Sequence, residues 1–123
     1  MADMYCLHKL ESLKNRQAFK LVYSRGKYSA SSMFVVYALA NETDRHRYGL
    51  SVSKKVGNAV VRNRVRRWLK EYIRLNASEF IMDKGYDFVV VARVPVGKLP
   101  RDGAFQKIGQ EVQHRLRKLG LVK

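Results

Sequence analysis

Eight basic residues lie between positions 54 and 74 (Lys54, Lys55, Arg62, Arg64, Arg66, Arg67, Lys70 and Arg74), and Glu71 is the single acid among them. A solvated helix face usually mixes signs at i, i+4, because unlike pairs stabilise a helix and like pairs destabilise it by a few tenths of a kcal/mol. Here only Glu71, one turn after Arg67, can make such a pair, so the segment carries +7 of a net +15. Arginine, with its planar fork of donors, suits bidentate contacts to phosphate. The chemistry these residues can do is therefore binding of a polyanion. Arg62 is a finer case: on a helical wheel it falls between Leu69 and Ile73, so its stem covers the edge of the core and its guanidinium either packs there or reaches a cleft rim.

A second pair bears on the kind of polyanion. Phe19 and Tyr23 are one turn apart, on a side distinct from Ala18, Leu21 and Val22. Buried, the two rings are simply core, the commoner fate of an isolated aromatic pair. Exposed beside a basic helix, they are what stacks the unpaired bases of single-stranded RNA or DNA.

Hydrolytic chemistry by the chain itself would need clustered carboxylates, a positioned base or a phosphate loop. The acids (Asp3, Glu11, Glu42, Asp44, Glu71, Glu79, Asp83, Asp87, Asp102, Glu111) are scattered without metal-ligand spacing, and His8, His46 and His114 stand alone and read as surface residues. Gly57 lacks the companions of a phosphate-binding fingerprint and reads as a turn. No catalytic residue, metal ligand, cofactor site or small-molecule substrate is expected.

The elements that must position these residues follow from periodicity. Ser12–Tyr23 reads as a short helix, and Met33–Ala40, β-branched and aromatic, as a strand. Asn41–His46 is a polar turn. In Arg47–Ser53, Tyr48, Leu50 and Val52 alternate with Gly49, Ser51 and Ser53, the period of a half-buried strand, and the two strands are expected to pair as an antiparallel hairpin. After Gly57, with Asn58 as cap, Val61, Val65, Trp68, Leu69, Tyr72 and Ile73 mark one face of an amphipathic helix. Tyr86–Val94 is a strand apolar on both faces, hence interior to its sheet. Pro95 and Pro100 bracket a loop, and Phe105, Ile108, Val112, Leu116 and Leu119 mark a last helix ending at Lys118 and Gly120. Helix, strand, strand, helix, strand, helix is the order of an α+β layer of helices on a sheet.

Composition sets the frame. With 123 residues, 46% of them hydrophobic, the chain can bury one core, and a single domain over residues 1–123 is expected rather than a disordered basic tail. A net +15 works against the compact state by self-repulsion, which a polyanion relieves: nucleic acid first, an anionic membrane second. No apolar run approaches the roughly 20 residues of a membrane span. The start MADMYCLHKL shows no export signal and Cys6 has no disulfide partner, so a soluble chain in a reducing cytoplasm is expected.

The segment GLSVSKKVGNAVVRNRVRRWLK, Gly49 to Lys70, resembles the signature of the bacterial ribonuclease P protein component, whose hallmark is the triplet Arg62, Asn63, Arg64. Ala59, Val65, Arg66, Arg67, Leu69 and Lys70 extend the match, and FVVY (Phe34 to Tyr37) and DFVVVAR (Asp87 to Arg93) carry it along the chain. Two departures are Trp68, where an aliphatic residue is usual, and Tyr23, where Phe is common. The resemblance implies a two-layer fold with helices on a central mixed sheet of about four strands and a left-handed βαβ crossover around the basic helix. It implies an accessory subunit of an endoribonuclease whose catalyst is RNA, removing the 5′ leader of precursor tRNA, with magnesium used by the RNA holoenzyme. Lys54, Lys55, Arg62, Arg64, Arg66, Arg67 and Lys70 would bind the catalytic RNA, and a cleft with Phe19, Tyr23, Tyr37, Ser51 and Asn63 would take the leader. Rival readings are a ribosomal or other structural RNA-binding protein, a helix-turn-helix regulator and an autonomous nuclease. The first would share charge, size and layers without the ordered triplet.

Overall fold

The computed structural model describes residues 10–13, 15–81 and 84–123; Asp3, Cys6, His8 and Asp83 lie outside them. Its strands are β1 (Leu10–Ser12), β2 (Lys27–Ala30), β3 (Phe34–Ala40), β4 (His46–Val52) and β5 (Tyr86–Ala92), and its helices α1 (Arg16–Arg25), α2 (Ala59–Leu75) and α3 (Ala104–Lys118), with short 3-10 turns at Ala77–Glu79 and Val94–Lys98. Among the described residues no helix is long and apolar enough to cross a membrane.

The sheet order is β1-β4-β5-β3-β2. β4 runs parallel to β5 and β1 parallel to β4, while β3 is antiparallel to both β5 and β2. The mixed sheet under helices is as expected, and α2 lies in the crossover between parallel β4 and β5. The β3–β4 hairpin is not formed. β5 separates the two strands, because Phe88, Val89 and Val90 are all fully buried and a strand apolar on both faces needs a neighbour along each edge as well as cover above and below. β1 and β2 also depart from the sequence reading. Both are three or four residues long, too short for a period to show, and β1 takes over Ser12, so α1 starts four residues later than expected.

Alternation along the strands sorts the core into two clusters. Phe34, Val36, Ala38, Phe88, Val90 and Ala92 face α2 and α3, meeting Val65, Leu69 and Ile73 from the former and Ile108, Val112 and Leu116 from the latter. Val89, Val91, Tyr37 and Leu39 face the opposite way and pack against Val22, Ala18 and Phe19 of α1. Leu21, which the helical wheel groups with Ala18 and Val22, is 45% exposed.

The local chemistry of the helix ends explains where α1 and α2 begin. The Asn15 side chain accepts from Gln17 N at 2.8 Å and Asn58 accepts from Val61 N at 3.0 Å, each satisfying a backbone donor in a first turn. Gly120, at φ +84°, adopts the left-handed conformation that closes α3.

His46 is not at the surface: it is fully buried. Its Nε2 lies 2.6 Å from Ile81 O and its Nδ1 accepts from Tyr86 N at 3.1 Å, so both ring nitrogens are satisfied and the imidazole can replace a hydrophobic side chain in the core. Asp87 is likewise structural, receiving Arg47 Nε and Nη2, each at 2.7 Å, and Asn41 Nδ2 at 2.9 Å.

Candidate nucleic-acid interface

α2 turns Val65, Leu69, Tyr72 and Ile73 inward, and this forces the intervening arginines and lysines outward or to its flanks. Arg67 and Lys70 are exposed, as are Lys54 and Lys55 in the turn between β4 and α2. Glu71, expected to pair with Arg67, pairs instead with Arg74 through Nε at 3.2 Å and Nη2 at 2.5 Å. The hydrogen bonds from Arg74 hold the Glu71 carboxyl below its ordinary value and raise the Arg74 guanidinium in turn. Arg67 is left without an ion pair among the described residues.

The remaining arginines are positioned more tightly. Arg66 donates to Asn63 Oδ1 at 3.2 Å and to Val52 O at 3.4 Å, tying α2 to the end of β4. Arg64 lies 5.4 Å from the Trp68 ring centroid, a cation–π distance. Arg62 is half-buried with its Nε shielded and unpartnered, as a stem lying over the core edge should be. Asn63, Arg66, Arg67, Lys70 and Arg74 line a cavity of about 510 Å³ with Tyr48, Ile73 and Glu71.

On the other face of the sheet, four strands place residues at one level: Tyr28 of β2 opposes Tyr37 of β3, Tyr37 opposes Val89 of β5, and Val89 opposes Gly49 of β4. α1 crosses this level. Its Phe19 ring lies against Gly49, where a Cβ would stand 2.4 Å from Phe19 Cζ, so the glycine is what lets the ring approach the strand. Ring centroids are separated by 6.4 Å between Phe19 and Tyr23, 5.0 Å between Tyr23 and Tyr37, and 5.8 Å between Tyr37 and Tyr28. Partial burial raises the Tyr23 hydroxyl above its ordinary value, a hydrogen bond from Ser51 opposes this, and neighbouring Tyr37 adds to it. Phe19, Tyr23, Tyr37 and Ser51 thus form one group, half-buried except for Tyr23 at 41% exposure.

Asn63 does not belong to that group; it sits with the cations of α2. The two groups meet at the sheet edge. β1 ends at Ser12, Leu13 N donates to Tyr48 O at 2.6 Å, and beyond that point β4 has no partner strand on its outer side among the described residues. The notch so left, about 190 Å³, is lined by Phe19 and Gly49 from one side and Arg66 and Lys70 from the other. Sequence reasoning missed Tyr48, which lines both cavities, and Tyr28, which lies between the expected first helix and first strand. The signal for Tyr28 is its register with Tyr37, a cross-strand relation no local period reports. Among the described residues no group of three or more His, Cys, Asp or Glu side chains could hold a metal ion.

A family model described as Ribonuclease P matches residues 7–120. The ribonuclease P protein component of Clostridium kluyveri is 39% identical over 111 residues, covering 90% of this chain and 96% of that protein, and that of Clostridioides difficile is 41% identical, covering 90% and 93%. Among solved structures, the RNase P protein of Staphylococcus aureus superposes with a TM-score of 0.79 at 32% identity, covering 91% of this chain and 97% of that one. That of Thermotoga maritima gives 0.73 at 30%, covering 85% and 93%.

Proposed function

We propose that this chain, which belongs to the ribonuclease P protein family, is the accessory subunit of a tRNA-processing endoribonuclease, binding a catalytic RNA through α2 and the 5′ leader of precursor tRNA through the aromatic row. The observation that carries the reading is the notch: one opening at the end of β1 is shared by Phe19 and by Arg66 and Lys70. A strand leaving a helical RNA that lies on α2 passes there directly onto rings that can stack its bases. Arg62, Arg64, Arg66, Arg67, Lys70, Lys54 and Lys55 supply charge to phosphates; Phe19, Tyr23, Tyr37 and Ser51 hold the unpaired strand; Asn63, held by Arg66, stands between the two. This division follows the physics of RNA recognition, in which phosphate contacts position a partner and stacking reads single strands.

The protein's part in the chemistry is positioning. It contributes no base or metal ligand in this reading; the RNA does the hydrolysis with magnesium, and cationic side chains reduce the phosphate repulsion that magnesium otherwise screens. The test is reconstitution with a bacterial ribonuclease P RNA and a leader-bearing precursor tRNA. The protein alone should not cleave, and adding it should raise cleavage by the RNA at low magnesium. Preference for precursor over mature tRNA separates this role from that of a structural RNA-binding protein. Equal cleavage with the RNA omitted, or equal binding of precursor and mature tRNA by the holoenzyme, would overturn it.

A further inference from the structure

We infer that Tyr28 is a further stacking subsite for single-stranded RNA, one that takes a leader nucleotide beyond those held by Phe19, Tyr23 and Tyr37; the inference rests on the leader-binding reading. β2 alternates its side chains across the sheet. Ser29 accepts from Arg115 of α3 at 3.2 Å, which places Ser29 on the α3 side and Tyr28 on the opposite side, the side of α1. There Tyr28 is 67% exposed, an unusual state for a large ring in a strand, and its one ring neighbour among the described residues is Tyr37, tilted at 39°.

Its position gives the exposure a direction. β2 and β1 are the two edges of the sheet. Phe19 lies at the notch beside α2, whereas Tyr28 is on the strand farthest from it, so the row of four rings runs from the basic helix to the opposite edge. α1, which crosses the row with Phe19 and Tyr23, carries Arg16, Lys20 and Arg25 and contains no acid, so the helix beside the row matches a chain of phosphates in sign. A strand entering at the notch meets Phe19 first and Tyr28 last. Aromatic rings tolerate any base because every base has a π-face, so the subsite lengthens the leader contact without adding sequence preference.

The test uses the holoenzyme reconstituted with bacterial ribonuclease P RNA and precursor tRNAs whose single-stranded leaders grow one nucleotide at a time. Tyr28→Ala should bind short leaders and mature tRNA as the unmodified protein does. Past a threshold length it should lose about 5- to 150-fold in affinity, the range for one base stacked on a ring. The threshold for Tyr23→Ala should come at a shorter leader. Tyr28→Phe should keep full affinity, since the ring and not the hydroxyl is used, and neither variant should shift the melting curve of the free protein. Unchanged affinity of Tyr28→Ala at every leader length, with Tyr23→Ala still leader-sensitive, overturns the subsite and leaves the leader reading standing. An equal loss with mature tRNA overturns it as well. If neither variant distinguishes leaders, the subsite and the leader reading fall together.

Discussion

Glu71→Gln should strengthen RNA binding, although it removes an ion pair. Glu71 is the single acid lining the cavity that holds Asn63, Arg66, Arg67, Lys70 and Arg74, and it occupies Arg74 with two hydrogen bonds. Glutamine keeps the shape and releases the guanidinium. If α2 faces an RNA backbone, Arg74 then becomes free to neutralise one more phosphate. Each neutralised phosphate steepens the dependence of log affinity on log salt by about 0.7 to 0.9, so affinity should fall about threefold further than the unmodified protein's between 50 and 200 mM salt. At the low end of that range the variant should bind more tightly. The side chains of Arg74 and Glu71 are 56% and 45% exposed, so the melting curve should hardly move. The assay is equilibrium binding to ribonuclease P RNA across a salt series, with a thermal melt as control. Because hydrogen bonds from Arg74 hold the Glu71 carboxyl below its ordinary 4.5, the pair persists as pH falls from 7 to 5, and acidification over that range should not mimic the variant. An unchanged or shallower slope would refute the reasoning, since it would mean that Arg74 meets no phosphate or that Glu71 was aiming it.

Arg67→Ala, at an exposed position without an ion pair among the described residues, should flatten the salt plot by about 0.7 to 0.9 with no loss of stability; Arg64→Ala should flatten it as much but also lose about 0.5 to 1 kcal/mol of stability with the Trp68 contact, and an unchanged slope in both would mean a merely solvated helix face. Val65→Ala should act oppositely, costing roughly 1 to 3 kcal/mol in denaturant melts, because Val65 is 1% exposed, while leaving the salt slope alone. Phe19→Ala should show both effects: about half of the 3 to 5 kcal/mol lost on truncating a buried Phe, measured by melts, and a leader-dependent affinity loss measured in the holoenzyme. Melts that shift without any leader dependence would assign Phe19 to the core alone.

α2 is legible because three independent signals coincide in it: Asn58 as cap, an apolar face at helical spacing, and charge concentrated on the remaining positions. β4 was legible from its strict alternation, which survives as Tyr48, Leu50 and Val52 on one face with Gly49 and Ser51 on the other. Pairing was not. The proximity of β3 and β4 in sequence suggested a hairpin, whereas the apolar run Phe88–Val91 demands the middle of the sheet, and one demand excludes the other. The residue type of His46 suggests a surface position; its burial depends on Ile81 O and Tyr86 N arriving from distant segments to complete its hydrogen bonds. For the candidate site, the cations could be read singly but their groupings could not. Arg67 and Arg74 each lie one turn from Glu71, so spacing alone does not decide which of them it pairs with; that Phe19 shares a notch with Lys70 follows from where β1 stops, and three residues of strand leave no periodic trace.

The central place of β5 has a consequence for how the molecule comes into being. β3 and β4 each wait for the same strand, and that strand follows both of them, the whole of α2 and a 3-10 turn in the order of synthesis. Until residues 86–92 leave the ribosome, β4 can pair only with the three residues of β1, and the apolar faces of β3 and β4 have nothing between them. The contacts that close the sheet therefore span long loops, whose entropy must be lost before any pairing compensates for it, a topology that folds slowly. A chain truncated before Tyr86 should be unfolded and prone to aggregate, not a smaller version of the protein. The basic helix, emerging earlier, is thus made before the scaffold that aims it.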